Sequence, residues 1–235
     1  MVKKFFYFLA SLVVILSIIV FYLSIIGYET DKLNQNIRTK INENYPKLNI
    51  ELEKINLLLN PFNFTIKLST KNPKIKSKDI DIDIREISTD INILAFLKKE
   101  FGINNIFLKS DKNNIKDILK IFRLYKDSPQ LYIIQRLLKN GLITINTKIV
   151  FDENGKVKNN YEIFGNIENL SLKLLNNQQI QNINTNFTLK ENNLKFENII
   201  LKYSNLNINS ENISILKVKD IFYIKIGRAS CRERV

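Results

Sequence analysis

Ile80-Asp81-Ile82-Asp83-Ile84-Arg85-Glu86-Ile87 alternates apolar and charged side chains until the phase slips at Arg85-Glu86. Successive side chains of a strand point to opposite faces, so Ile80, Ile82 and Ile84 share one face and Asp79, Asp81 and Asp83 the other. The slip before Ile87 is that of a β-bulge. Upstream, Leu48, Ile50 and Leu52 alternate with Asn49, Glu51 and Glu53, and Phe62, Phe64, Ile66 and Leu68 with Asn63, Thr65, Lys67 and Ser69. Asn60-Pro61 and Asn72-Pro73 read as turns between them. Downstream, Ile103, Ile106 and Leu108 close a β region over residues 47–110.

From Asp111 the period changes to that of a helix. Ile115, Ile118, Leu119, Phe122 and Tyr125 mark one face, and Ser128-Pro129 caps a second helix carrying Leu131, Ile134 and Leu138, with Asn140-Gly141 as its stop. This is a helical insert over 111–140. Strand signals then fill 141–225: 142–150, 161–164, 170–174, 183–189, 194–200, 206–208 and 213–218, with Asp152-Glu153-Asn154-Gly155 as a hairpin-like turn. Short gaps predict antiparallel neighbours. The expected fold is mainly β (α+β): an antiparallel, curved and groove-like sheet interrupted by a short helical segment. Many strands have one apolar face and little helix is available to cover them. Either two sheets pack as a sandwich, or one curved sheet keeps an apolar face open for a ligand.

The N-terminus has its own pattern. A stub over 1–4 holds Lys3 and Lys4, and residues 5–26 carry no charge. As a helix this stretch is about 33 Å long, enough for a hydrocarbon core of about 30 Å. It is longer than a secretory signal's apolar region and lacks a small-x-small cleavage site, so we expect an uncleaved transmembrane helix. The two lysines favour the N-terminus inside and the body outside the cytosol. A juxtamembrane helix follows within 27–46, with Leu33, Ile37 and Ile41 as its stripe.

Composition removes most chemistry. The 235 residues carry a formal charge of +13, no His and one Cys. Histidine-based triads, His-ligated metals and internal disulfides are therefore excluded. The carboxylates of Asp79, Asp81 and Asp83 stand about 7 Å apart and read as a solvated face rather than a cation site. The lysines form neither an aromatic-interleaved nor a helix-turn-helix pattern, so no nucleic-acid partner is expected, and anionic lipid head groups suit the charge better. No cofactor, metal or catalytic residue is expected. The Asn-x-Ser/Thr matches, such as Asn63-Phe64-Thr65, carry no weight in a chain with 33 Asn. Residues 226–235 hold three of the seven Arg and the only Cys, against an Ile-, Lys- and Asn-rich body. This tail resembles a translated sequencing-adaptor read. The expectation is that it is foreign and that the natural chain is longer.

The order of parts resembles the N-terminal region of the AsmA-like family of bacterial inner-membrane proteins. The resemblance is carried by the anchor and short helix, by Pro46-Lys47-Leu48-Asn49-Ile50-Glu51-Leu52-Glu53-Lys54-Ile55 running to Asn60-Pro61, and by the strand from Lys78 to Ile93. Leu94-Ala95-Phe96-Leu97 and the Ile103, Ile106, Leu108 strand complete it. It implies a non-enzymatic, single-pass inner-membrane protein with its bulk in the periplasm. Membrane phospholipids are the implied partners, together with other envelope proteins. The implied role is phospholipid transport between inner and outer membranes and outer-membrane homeostasis. Phe64, Ile66, Ile80, Ile82, Ile84 and Ile208 are the candidate lipid-facing residues. The alternative is a structural or assembly factor for outer-membrane biogenesis that holds no lipid.

Overall fold

The computed structural model describes residues 2–44, 46–77, 80–98, 102–125, 128–152, 156–158, 160–174, 178–219 and 221–233. The apolar N-terminal run forms helix α1 (Val2–Ile25), of which Lys3–Ile25 is long and apolar enough to cross a membrane. Gly27, at φ +77, ends it, and its N–H donates to the Tyr22 carbonyl at 3.3 Å. A Cβ there would lie 2.6 Å from Asn56 Oδ1 and 2.7 Å from the Leu57 carbonyl. Only glycine fits the left-handed backbone and this approach. The chain enters the sheet at once as β1 (Tyr28–Thr30), paired with β3 (Ile55–Asn60).

One open antiparallel sheet makes up the body, so the sandwich alternative falls. After β1 come α2 (Asn34–Asn44), β2 (Asn49–Glu51), β3, β4 (Thr65–Lys71), β5 (Lys74–Ser77) and β6 (Ile80–Asn92). A short α3 (Ile93–Leu97) leads to β7 (Ile103–Ser110) and β8 (Asn113–Asn114). The helical insert forms α4 (Ile115–Tyr125) and α5 (Pro129–Leu137), the latter capped by Ser128 with Pro129 in its first turn. A meander of β9 (Leu138–Val150), β10 (Glu162–Lys173), β11 (Gln179–Lys190), β12 (Asn193–Tyr203) and β13 (Leu206–Val218) follows. At the far edge, β14 (Ile221–Ile226) and β15 (Ala229–Glu233) pair with successive halves of β13.

A crease crosses this sheet from edge to edge. β2 and β3 run in line along β5 and β4, and the chain jogs at 52–54. β4 and β5 lie in line along β6, with the jog at Asn72-Pro73 opposite Arg85. The β6 register slips between Ile84 and Glu86, where the sequence predicts a bulge. β7 and β8 lie in line along β9. The band continues through Gly141 (φ +150), Asn169 (φ 51), Asn182 (φ 53) and Asn198 (φ 55) to Glu211 and Arg228. Each bulge shifts the side-chain phase by one, so apolar residues three apart keep one face. Ile167 and Leu170 share one core cluster, as do Ile180 and Ile183. Asparagine supplies the left-handed backbone because it tolerates positive φ better than other non-glycine residues. Asn184 ties two of these bulges: its Oδ1 accepts from the Asn169 N–H at 3.0 Å and its Nδ2 donates to the Asn182 carbonyl at 2.9 Å.

Several local expectations change with this crease. Asn72-Pro73 is an in-line jog, not a reversal, because proline's missing N–H interrupts the ladder without turning the chain. Asn140-Gly141 is no helix stop. The helix ends at Leu137, because Leu138 is already a strand residue buried against Ile143, Ile167 and Leu170. A Cβ on Gly141 would lie 3.0 Å from Leu170 Cα, which fixes glycine there. Strand signals that look separate, at 161–164 and 170–174 and at 206–208 and 213–218, are single strands, the first pair with a bulge between. Phe62 and Phe64 lie in the β3–β4 turn rather than in a strand. The juxtamembrane segment begins as strand β1 before α2 forms. Residues 229–233 of the tail form β15 by backbone pairing.

Candidate functional site: an apolar sheet face

Directly paired residues of antiparallel strands share a face. One such row reads Ile55, Thr70, Ile87, Leu108, Thr147, Ile163, Leu189, Leu194, Ile215 and Ile224, from β3 to β14. With strands about 4.8 Å apart it extends roughly 40 Å. A second row on this face reads Ile145, Gly165, Phe187, Phe196, Ile213 and Ile226. The opposite face reads Lys71, Glu86, Lys109, Asn146, Phe164, Thr188, Lys195, Ser214 and Lys225 along the neighbouring row. One side of the sheet is apolar and the other is mostly polar.

Two helical patches cover parts of the apolar face. Leu33, Ile37 and Ile41, the predicted stripe around α2, pack on Ile50, Leu52, Ile55, Leu68, Ile75 and Ile87. Asn34 Nδ2 and Arg38 Nη2 fasten this helix by donating to the Leu52 carbonyl at 3.2 and 3.3 Å. Farther along, Ile115, Ile118 and Leu119 of α4 pack on Leu138, Ile143, Ile167, Leu170 and Ile183. Ile106, Leu108, Ile149 and Ile163 belong to neither cluster and are half-buried. The apolar face is therefore partly roofed and partly open.

Two cavities lie between α2 and the sheet. One, of about 330 Å³, is lined by Ile37, Ile41, Ile50, Leu52, Ile55, Leu68, Thr70, Ile87, Thr89, Ile106 and Leu108 among others. The second, of about 340 Å³, is lined by Leu33, Asn36, Ile37, Leu57, Ile66, Leu68, Ile91 and Ile93. The surface each exposes is entirely carbon. Such space offers water no polar partner. Its chemistry suits an apolar guest rather than a polar one.

The candidate residues fall in different settings. Ile66 lines the second cavity. Ile80 is half-buried at the start of β6, whereas Ile82 (5% exposed) and Ile84 (2%) are core residues of the same face. Ile208 is half-buried opposite Leu201 on the apolar face. Phe64 sits in the β3–β4 turn with φ 49, outside either cavity. The lining residues Leu57, Ile91, Ile106 and Leu108 were not singled out as lipid-facing. Their signal was present as alternation, but the face they share with Ile66 emerges only from strand pairing.

The polar face holds cross-strand charge pairs. Asp83 meets Lys74 at 3.4 Å, and Lys76 meets Glu51 at 2.9 Å with Asp81 opposite it. The hydrogen bond from Lys76 to Glu51 raises its ammonium above the ordinary lysine value, and the Asp81 charge adds to this. Asp79 lies outside the described residues. Among the described residues no cluster of three or more Asp, Glu, His or Cys could hold a metal. Comparison with protein families, curated proteins and solved structures finds no match to this chain.

Proposed function

We propose that this chain is a membrane-anchored lipid carrier whose apolar sheet face receives phospholipid acyl chains. The observation that carries this reading is the continuous apolar face, partly roofed, with carbon-lined space, on a sheet joined to the long apolar helix α1 through Ile26-Gly27 alone. Each methylene that moves from water onto such a face gains about 0.8 kcal/mol, so a tail can pass along it without facing the full cost of transfer to water. The polar face stays in solvent.

The fuller reading follows the sequence resemblance to AsmA-like proteins. In it α1 sits in a bacterial inner membrane, the body lies in the periplasm, and the protein takes part in phospholipid transport to the outer membrane and in its homeostasis. Other envelope proteins are its further partners, and no covalent chemistry is involved. The coverage of the face by α2 and α4 favours a second reading, a structural or assembly factor whose helices close an ordinary core. Mass spectrometry of lipid extracted from protein purified in mild detergent tests the choice. The carrier retains phospholipid in fixed proportion, and loses it when Ile106 and Leu108 are both changed to Asn with the fold intact. An assembly factor retains none beyond that held by α1 alone.

A further inference from the structure

We infer that the β3–β4 turn and helix α3 form a second membrane-contacting element, which dips into the bilayer beside α1. This rests on the anchoring reading above and adds a surface to it. The register places Tyr28 opposite Leu57, so the last residues of β3 run back past the end of α1. Leu57 to Asn60 spans about 10 Å of strand, the length of roughly six residues of helix. α1 packs against β3, and Leu23 and Ser24 are its half-buried residues, whereas Phe5–Tyr22 are exposed. The turn beyond Asn60 therefore lies level with the last turns of the apolar span.

What the turn presents at that level is apolar. Phe62 is 93% exposed, Phe64 58%, Leu94 53% and Leu97 71%. The Ile93 N–H donates to the Phe64 carbonyl at 2.9 Å and joins the two pieces into one tip. Asn60 and Asn92, both paired with Thr65, organise it from below. Asn60 Oδ1 accepts from the N–H groups of Phe62 and Asn63, and Asn92 Oδ1 from those of Leu94 and Ala95. The polar side chains thus hold the backbone, and the large apolar ones are left outward. Four such side chains on one tip are unfavourable in water and suit a lipid surface. Exposed Lys98 at the end of α3 suits the head groups. The cavity that contains Ile66, Ile91 and Ile93 begins directly beneath this tip, so its mouth would stand at the bilayer surface.

The chain has no tryptophan, so single Trp probes report one position each. The full chain is reconstituted into phosphatidylcholine–phosphatidylglycerol vesicles with and without brominated acyl chains. Phe62→Trp and Leu97→Trp should show blue-shifted emission and bromine quenching comparable to Phe21→Trp within α1. Lys148→Trp on the polar face should show neither. Because the turn is held by Asn60, replacing the outward Phe62 leaves its hydrogen bonds in place, and unchanged far-UV circular dichroism checks this. Quenching at Phe21→Trp but not at Phe62→Trp or Leu97→Trp overturns the inference and leaves the anchor standing. Quenching at Ile106→Trp without quenching at the tip overturns it while leaving lipid binding intact. Equal quenching at Lys148→Trp also overturns it, by revealing general adsorption.

Discussion

Replacing Asn169, Asn182 and Asn198 together by alanine tests the crease at its physical cause. All three have φ between 51 and 55, a conformation that places Cβ close to the following carbonyl. Alanine lacks the short polar side chain that makes asparagine tolerant there, and the penalty is about 1 kcal/mol per site. The triple variant should lose about 3 kcal/mol if the sites add, although adjacent bulges on paired strands will couple. With a urea m-value of about 1–3 kcal/mol/M, the midpoint falls by at least about 1 M. Glycine at the same three sites removes the Cβ problem, and its greater unfolded-state entropy should cost less than 1 kcal/mol per site. Equilibrium urea unfolding in mild detergent, followed by far-UV circular dichroism, measures both variants. Alanine and glycine variants with equal midpoints would refute the claim that left-handed asparagine sets the crease.

Three further outcomes follow from the packing and the anchor. Ile84→Ala, at a side chain 2% exposed, should destabilise the fold by about 2–5 kcal/mol, read from the same urea curves. Thr70→Val should raise stability by about 1 kcal/mol, because the Thr70 hydroxyl is buried without a hydrogen-bond partner and valine keeps the shape. Protease added to intact spheroplasts of an expressing strain should degrade the body and leave α1 in the membrane. A fully protected chain would reverse the orientation.

How much of this was legible before the fold depended on how far each signal acts. The long apolar N-terminal helix, the α2 stripe and the Ser128-Pro129 cap are local features and read directly from the chain. Alternation likewise revealed the strands, and the Arg85-Glu86 slip revealed its bulge because Asp and Ile alternate cleanly on either side. The same slip at Asn169 and Asn182 was hidden: polar residues flank the bulge, so a change of phase resembles a loop. The recurring clue was apolar residues three apart, as in Ile84 and Ile87 or Ile167 and Leu170. Abundant asparagine also supplies the left-handed backbone at Asn169, Asn182 and Asn198. The cavities were not legible, because Leu57, Ile66, Ile91 and Ile106 meet only through pairing across four strands. Nor was the outward placing of Phe62 and Phe64, which depends on Asn60 capping the turn rather than on alternation.

Site-specific photo-crosslinking in living cells tests the central claim most directly. A diazirine amino acid is placed at Ile106, Ile149 or Ile163 on the open apolar face, and at Asn105, Lys148 or Glu162 one residue away on the polar face. The account predicts phospholipid adducts, identified by mass, from the first set and none from the second. Absence of lipid adducts from both faces, in folded and membrane-anchored protein, would contradict it.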